Sequence, residues 1–224
     1  KMHSKKNKYI LNYFFLIILL GSINNIELNK LNFQKIININ ISGLNEVDNL
    51  KLSNDIKNLN LKNIFLLKTK KVNEIIESNS LVENYNVIKI YPSTLKVKIK
   101  KTNFLAKINN NGKIFLIGSN GKISKNSLTS KQLPFVFGKP KIKEFLKFKK
   151  IIDQSTFSYD QIKNFYFFPS GRWDLELQNK MLIKLPRDNI QVSLNNAYQF
   201  LNEKKFEGIK IIDARIKNQI ILND

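Results

Sequence analysis

Asp174 and Glu176 are the two side chains in this sequence whose type and spacing could do acid–base chemistry. On a strand, residues i and i+2 share a face, and paired carboxylates are what general acid–base catalysis uses. Trp173, Leu175 and Leu177 alternate with them, so a half-buried strand with a solvated acidic face explains the same residues. No third group stands at a recognisable spacing to complete a catalytic set. The only histidine, His3, lies in the N-terminal tail, which removes Ser-His and Cys-His mechanisms and histidine-bearing metal sites from the folded body. Without cysteine there is no disulfide, thiolate zinc site or thiol nucleophile, a composition that fits cytosol and bacterial envelope equally well. No enzyme activity, metal or cofactor is expected.

A formal charge of +21 on 224 residues points to a polyanionic partner, either nucleic acid or an anionic membrane surface. Lys, Asn and Ile dominate everywhere, and A/T-rich codons encode all three, so compositional drift onto solvated faces accounts for the same charge. The lysines are spread along the chain instead of forming one block with interleaved aromatics, which a nucleic-acid groove would favour.

The stretch "KKNKYILNYFFLIILLGSINN" sets Lys5, Lys6 and Lys8 before a 15-residue apolar run, Tyr9 to Ile23, interrupted by Asn12 and Gly21-Ser22. As a helix this run covers roughly 22 Å against a hydrocarbon core of ~30 Å, and snorkelling of Lys8 and extension to Ile26 would lengthen it. A retained single transmembrane helix over 9–26 is expected, with a cleaved signal peptide as the competing reading. No A-x-A-like cleavage site follows, since Leu20 stands where a small residue is wanted. The basic start keeps the N-terminus inside and sends everything after Asn24 across the membrane.

Elements that could form a folded unit begin after a polar stalk. Ile37, Ile39 and Ile41 alternate with Asn38, Asn40 and Ser42 up to Gly43, a half-buried strand. Leu52, Ile56 and Leu59 predict one amphipathic helix, and Val72, Ile75 and Ile76 a second behind a Thr69 cap. A strand from Val82 to Tyr91, a Pro92-Ser93 turn and the strand "TLKVKIK" complete a compact α+β unit with both helices on one sheet face. From Phe104 the texture changes to short strands, with Asn-Gly turns at 111–112 and 120–121. Further strands are expected at Leu133–Gly138, Lys163–Phe168, Trp173–Leu177, Met181–Leu185, Gly208–Ala214 and Asn218–Leu222, with helices at Glu144–Ile152 and Leu194–Lys204. The expected organisation is α+β: tail 1–8, transmembrane helix 9–26, stalk 27–35, a β-α-α-β-β module 36–103 and a strand-rich domain 104–224 ending in an edge strand.

In order along the chain, "INISG" (Ile39–Gly43), "NIFLL" (Asn63–Leu67), "LVENYNVIKIYPSTLKVKIKK", "LPFVFG" (Leu133–Gly138) and "IIDAR" (Ile211–Arg215) follow one family pattern. The chain resembles the bacterial cell-division protein family FtsQ/DivIB, and its small module resembles that family's POTRA domain. Lys101, Asn103 and Asn120 depart from the family's usual Glu, Pro and Asp. The resemblance implies a non-catalytic, single-pass inner-membrane subunit with its C-terminal domains in the periplasm at the division septum. Its implied partners are the coiled-coil membrane proteins FtsB and FtsL, which it links to septal peptidoglycan synthesis. The alternative is a POTRA-bearing envelope assembly or chaperone factor for outer-membrane proteins, although a single module and no run of barrel strands speak against it. Export makes nucleic acid an unsuitable partner.

The docking site is expected on "DARIKNQIILND", because a strand that ends a chain often lies at a sheet edge and can template an added strand. The resemblance carries partner contacts just after the family's Asp-x-Arg motif onto Arg215, Ile216, Asn218 and Gln219, with Ile220 and Leu222 continuing the face of Ile216. Closure of the domain's own core by these apolar residues is the competing reading, since alternation alone does not separate the two.

Overall fold

The described part of this computed structural model comprises residues 3–23, 35–125, 132–201, 208–216 and 219–223, with side chains of the first helix from Tyr9 to Ser22. That helix, α1 (His3–Ile23), exposes its apolar side chains on every side, from Tyr9 to Leu20. Among the described residues no helix is long and apolar enough to cross a membrane, so the expected span at 9–26 lacks support from the helix itself. Asn12 and the Gly21-Ser22 pair dilute its apolar run, and extending that run toward the N-terminus brings in Lys8 and then Lys6. The stalk before Lys35, the tail residues Lys1 and Met2, and Ile26 lie outside the described residues.

The first sheet takes its shape from the lysine-striped segment. After β1 (Asn38–Ser42) come helices α2 (Glu46–Lys57) and α3 (Lys70–Ser78), then β2 (Val82–Ile90) and β3 (Thr94–Lys101). β3 lies centrally, parallel to β1 and antiparallel to β2, in a three-stranded sheet. Leu95 and Val97 are fully buried and Ile99 nearly so, packing on Leu52 and Ile56 of α2 and Val72 and Ile76 of α3, while Lys98 and Lys100 face solvent. Asn45 caps α2 by accepting from the Asp48 amide at 2.8 Å, with Glu46 and Asp48 in its first turn. Thr69 precedes α3 but makes no side-chain cap bond, because its own backbone is already helical at φ −70°, ψ −7°, unlike the extended backbone of a capping residue. Gly43 ends β1 at φ +114°, where a Cβ would collide with the carbonyl of Ile99.

The second sheet has nine strands. The hairpin β4 (Phe104–Asn110) and β5 (Lys113–Gly118) closes through Asn111-Gly112, both at positive φ, and β6 (Ile123–Ser124) follows the Asn120-Gly121 turn. β7 (Phe135–Phe137), helix α4 (Ile142–Asp153), β8 (Ile162–Phe167), β9 (Trp173–Leu177), β10 (Leu182–Lys184), helix α5 (Ile190–Leu201), β11 (Ile211–Asp213) and β12 (Ile221–Asn223) complete it. The spatial order is β12-β11-β10-β9-β8-β7-β4-β5-β6. β7 joins the halves through parallel pairing to both β4 and β8. Phe145, Phe148 and Ile152 of α4 and Leu194 and Ala197 of α5 share one core with the sheet. Phe148 stacks on Trp173 at 4.6 Å, and Phe165 meets the same indole edge-on. The last strand starts at Ile221, so Gln219 and Ile220, expected within it, precede it. The expected helix residues 202–204 lie outside the described set.

Two residues, Thr102 and Asn103, separate β3 from β4, and a polar joint forms there. Glu83 accepts from the hydroxyls of Thr102 (2.9 Å) and Ser119 (2.7 Å). Asn120 donates from its side-chain amide to the carbonyls of Ser80 (3.0 Å) and Val82 (2.9 Å), and Lys122 reaches the carbonyls of Glu77 and Asn79.

Candidate docking site

Asp174 is 3% exposed, not the solvated surface residue expected from alternation, because β9 is covered on both faces along most of its length. Arg172 pairs with it at 3.2 Å. Burial pushes the Asp174 carboxyl upward, while Arg172, the Leu185 amide and Arg215 pull the other way. Glu176 has the opposite environment. It accepts from the Tyr166 hydroxyl at 2.6 Å and the Asn164 amide at 2.8 Å, with Lys163 at 3.3 Å, and these bonds hold its carboxyl below the usual range. Burial and the Glu176 charge push the Tyr166 phenol up to about 12. All three partners of Glu176 lie on β8, so this carboxylate ties β8 to β9 across the register Asn164↔Glu176.

One edge of the nine-stranded sheet is β6; the other is β12, which among the described residues pairs only with β11. Its register, Asp213↔Ile221 and Ile212↔Leu222, sets Leu222 beside the buried Ile212. Leu222 is accordingly half-buried and packs on the domain's own core, as does Ile220. Leu222 therefore does not continue the exposed face of Ile216, whereas the half-buried Ile220 also lines the groove beside Ile216. Alternation turns the neighbouring Ile221 outward, leaving it 51% exposed, and Ile216 is 52% exposed. The sequence reading missed Ile221. Only its place between two inward residues marks it.

Arg215 is exposed and folded back on Asp213. Its Nε donates to both carboxylate oxygens, at 2.8 and 3.0 Å, and its Nη2 to Oδ2 at 2.5 Å. The guanidinium holds the Asp213 carboxyl below its ordinary range, and the carboxylate raises the Arg215 value in return. Gln219 is exposed and its backbone amide donates to the Ile216 carbonyl at 3.2 Å. Asn218 lies outside the described residues.

A groove of about 330 Å³ runs beside Ile216 and Gln219. Ile216, Gln219 and Ile220 form one wall, and Val192 and Ser193 of α5 with Asp188 from the preceding loop form the other. Val192 is 57% exposed, off the buried face of α5 that carries Leu194 and Ala197. An apolar residue on a helix's wet face was the available sequence signal for this wall. The groove combines apolar side chains (Val192, Ile216, Ile220) with polar ones (Asp188, Ser193, Gln219), and the strand edge next to it has no further partner among the described residues. Such a surface can take up an extended or helical segment, and among the described residues no group of His, Cys, Asp and Glu side chains is placed to hold a metal.

Comparison with known proteins agrees with the order of these elements. Residues 34–101 match the family described as POTRA domain, FtsQ-type, and residues 99–215, more than half of the chain, match Cell division protein FtsQ/DivIB, C-terminal. The chain is 27% identical over 198 residues to Cell division protein FtsQ of Rickettsia bellii (strain RML369-C), covering 83% of this chain and 70% of that protein. It is 26% identical over 203 residues to the protein of the same name from Rickettsia conorii (strain ATCC VR-613 / Malish 7), covering 85% and 72%. The major extracytoplasmic domain of the cell-division protein DivIB from Geobacillus stearothermophilus overlaps 46% of this chain and 98% of its own length at 12% identity, with a TM-score of 0.33 that is too low to weigh in the assignment. On the two family matches, which together run from residue 34 to residue 215, the chain belongs to the FtsQ/DivIB family of cell-division proteins.

Proposed function

We propose that this protein is a non-catalytic scaffold of the division machinery that docks FtsB-like and FtsL-like coiled-coil membrane proteins and links them to septal peptidoglycan synthesis. The observation that carries the reading is the edge position of β12 beside the Ile216 groove. An edge strand offers unpaired N–H and C=O groups to an added strand, and the groove offers the apolar side chains of Val192, Ile216 and Ile220 to an incoming segment. In this reading Ile216, Gln219 and Ile221 meet the partner, Arg215 is held in place by Asp213, Ile220 packs on the core while lining the groove, and Leu222 supports the edge from the core side. Asn218 stays in the proposal through the family resemblance.

The proposed location is the inner membrane, with Lys5, Lys6 and Lys8 cytoplasmic and both folded modules periplasmic at the septum. α1 by itself is not long and apolar enough to cross a membrane, and what favours the location is its apolar side chains exposed on all faces, with basic residues before them. An envelope assembly factor for outer-membrane proteins is the rival reading. Co-purification of the tagged full chain from membranes separates the two. Recovery of coiled-coil division proteins is the expected result, and recovery of outer-membrane barrel precursors without any division protein would overturn it.

A further inference from the structure

At the end of the first sheet where β1 begins, a small apolar protrusion stands out from the fold. Phe65 and Tyr91 place their rings 4.7 Å apart and are 52% and 57% exposed; Leu66 beside them is 77% exposed. The protrusion is held from behind. Ile64 is fully buried, the Leu66 amide donates to the Asn63 side chain at 2.8 Å, and the Lys89 ammonium donates to the Leu67 carbonyl at 2.9 Å. Burying Ile64 in a tight turn forces its neighbours outward. Val47 and Leu50 of α2 are exposed singly elsewhere on the module, whereas aromatic and aliphatic groups clustered at one end mark a contact surface.

Its place in the chain and its charge identify the occupant. The Ile37 amide donates to the Ser93 carbonyl at 3.0 Å, so the chain arriving from α1 enters the fold beside the Tyr91 turn. Residues 24–34 connect α1 to this end, and eleven residues span at most ~40 Å when fully extended. No carboxylate occurs between Asp55 and Glu74, whereas Lys57, Lys62 and Lys68 do, and none occurs between Glu83 and Glu144. Tyrosine with flanking lysines is the composition of a surface seated at the headgroup level of an anionic bilayer. We propose that Phe65, Leu66 and Tyr91 dock the first module onto an anionic lipid surface, with Lys57, Lys62 and Lys68 facing the headgroups. The inference rests on the membrane attachment of α1 proposed above.

The natural absence of cysteine makes a single introduced thiol unique. Leu66→Cys is placed in the full chain, with Lys100→Cys as its control, an exposed site six residues and ~20 Å along β3 from Thr94. Each protein is reconstituted in phosphatidylcholine vesicles with and without phosphatidylglycerol. Flotation reports attachment through α1, and reaction with a water-soluble maleimide reports the patch. The expected result is a severalfold slower reaction at position 66 than at position 100 in anionic vesicles. Lys57, Lys62 and Lys68 changed together to Gln should return the rate at 66 to its level in neutral vesicles. A chain that floats with anionic vesicles yet reacts equally at both positions would overturn the patch alone. A chain that does not float would overturn both readings. Protection of position 66 that requires a co-reconstituted coiled-coil division protein would assign the patch to a protein and overturn the lipid proposal.

Discussion

The side-chain amide of Asn120 donates to the backbone carbonyl of Val82 at 2.9 Å, from the second sheet to the first and across 38 residues of chain. A second bond from the same nitrogen reaches Ser80. Asn120→Asp keeps the shape, removes both donors and sets a negative charge against two carbonyls. The expected cost is about 1–3 kcal/mol of stability, read by urea unfolding of the full chain in mild detergent. Unchanged stability would mean that the joint does not depend on this amide.

Val97 and Lys98 are adjacent on β3 and differ completely in burial. Val97→Ala removes two methyls from a closed core and should cost about 1–3 kcal/mol, whereas Lys98→Ala should stay within about 0.5 kcal/mol. The same unfolding measurement compares them directly. Equal effects would contradict the register of β3 against α2 and α3.

Glu176 makes stability depend on pH. Its folded carboxyl titrates below the unfolded one, chiefly through the bonds from Tyr166 and Asn164. The stabilisation is therefore fully present above the unfolded value and is lost as pH falls through the folded value. Asp213 behaves the same way through Arg215, while buried Asp174, shifted upward, costs stability at neutral pH and releases that cost on acidification. Comparing unfolding midpoints at neutral pH and at about pH 4, followed by the single tryptophan Trp173, should show a smaller acid loss in Glu176→Gln than in the parent chain. An identical acid loss in both would remove Glu176 from this role.

Ile216 and Ile221 are each about half exposed, so a charge at either should leave the fold intact. Ile216→Glu and Ile221→Glu are expected to unfold like the parent and to lose capture of the coiled-coil partner. Leu222→Ala is the contrasting change: it should destabilise the second module, since Leu222 packs on its core. Parent-like capture by both glutamate variants would place the docking site elsewhere.

Local chemistry wrote much of this fold into the sequence. Alternation at Leu95, Val97 and Ile99 announced a half-covered strand, the spacing of Leu52 and Ile56 a helix facing it, and Asn111-Gly112 a hairpin turn, because each depends on residues close in the chain. Motif order from Ile39 to Arg215 was enough to point to the family. Tertiary structure decided what depends on distant partners. β1 lies beside β3, and β7 enters between β4 and β8, through pairings that no local pattern encodes. Asp174 is buried although its alternation reads as wet, because covering a strand on its second face is an act of other segments. At the chain's end the period of two allowed either face of β12 to be the partner face. Pairing of Leu222 with Ile212 drew one face into the core and left Ile221 in solvent, since the register comes from β11 and the core beneath it and not from β12 alone.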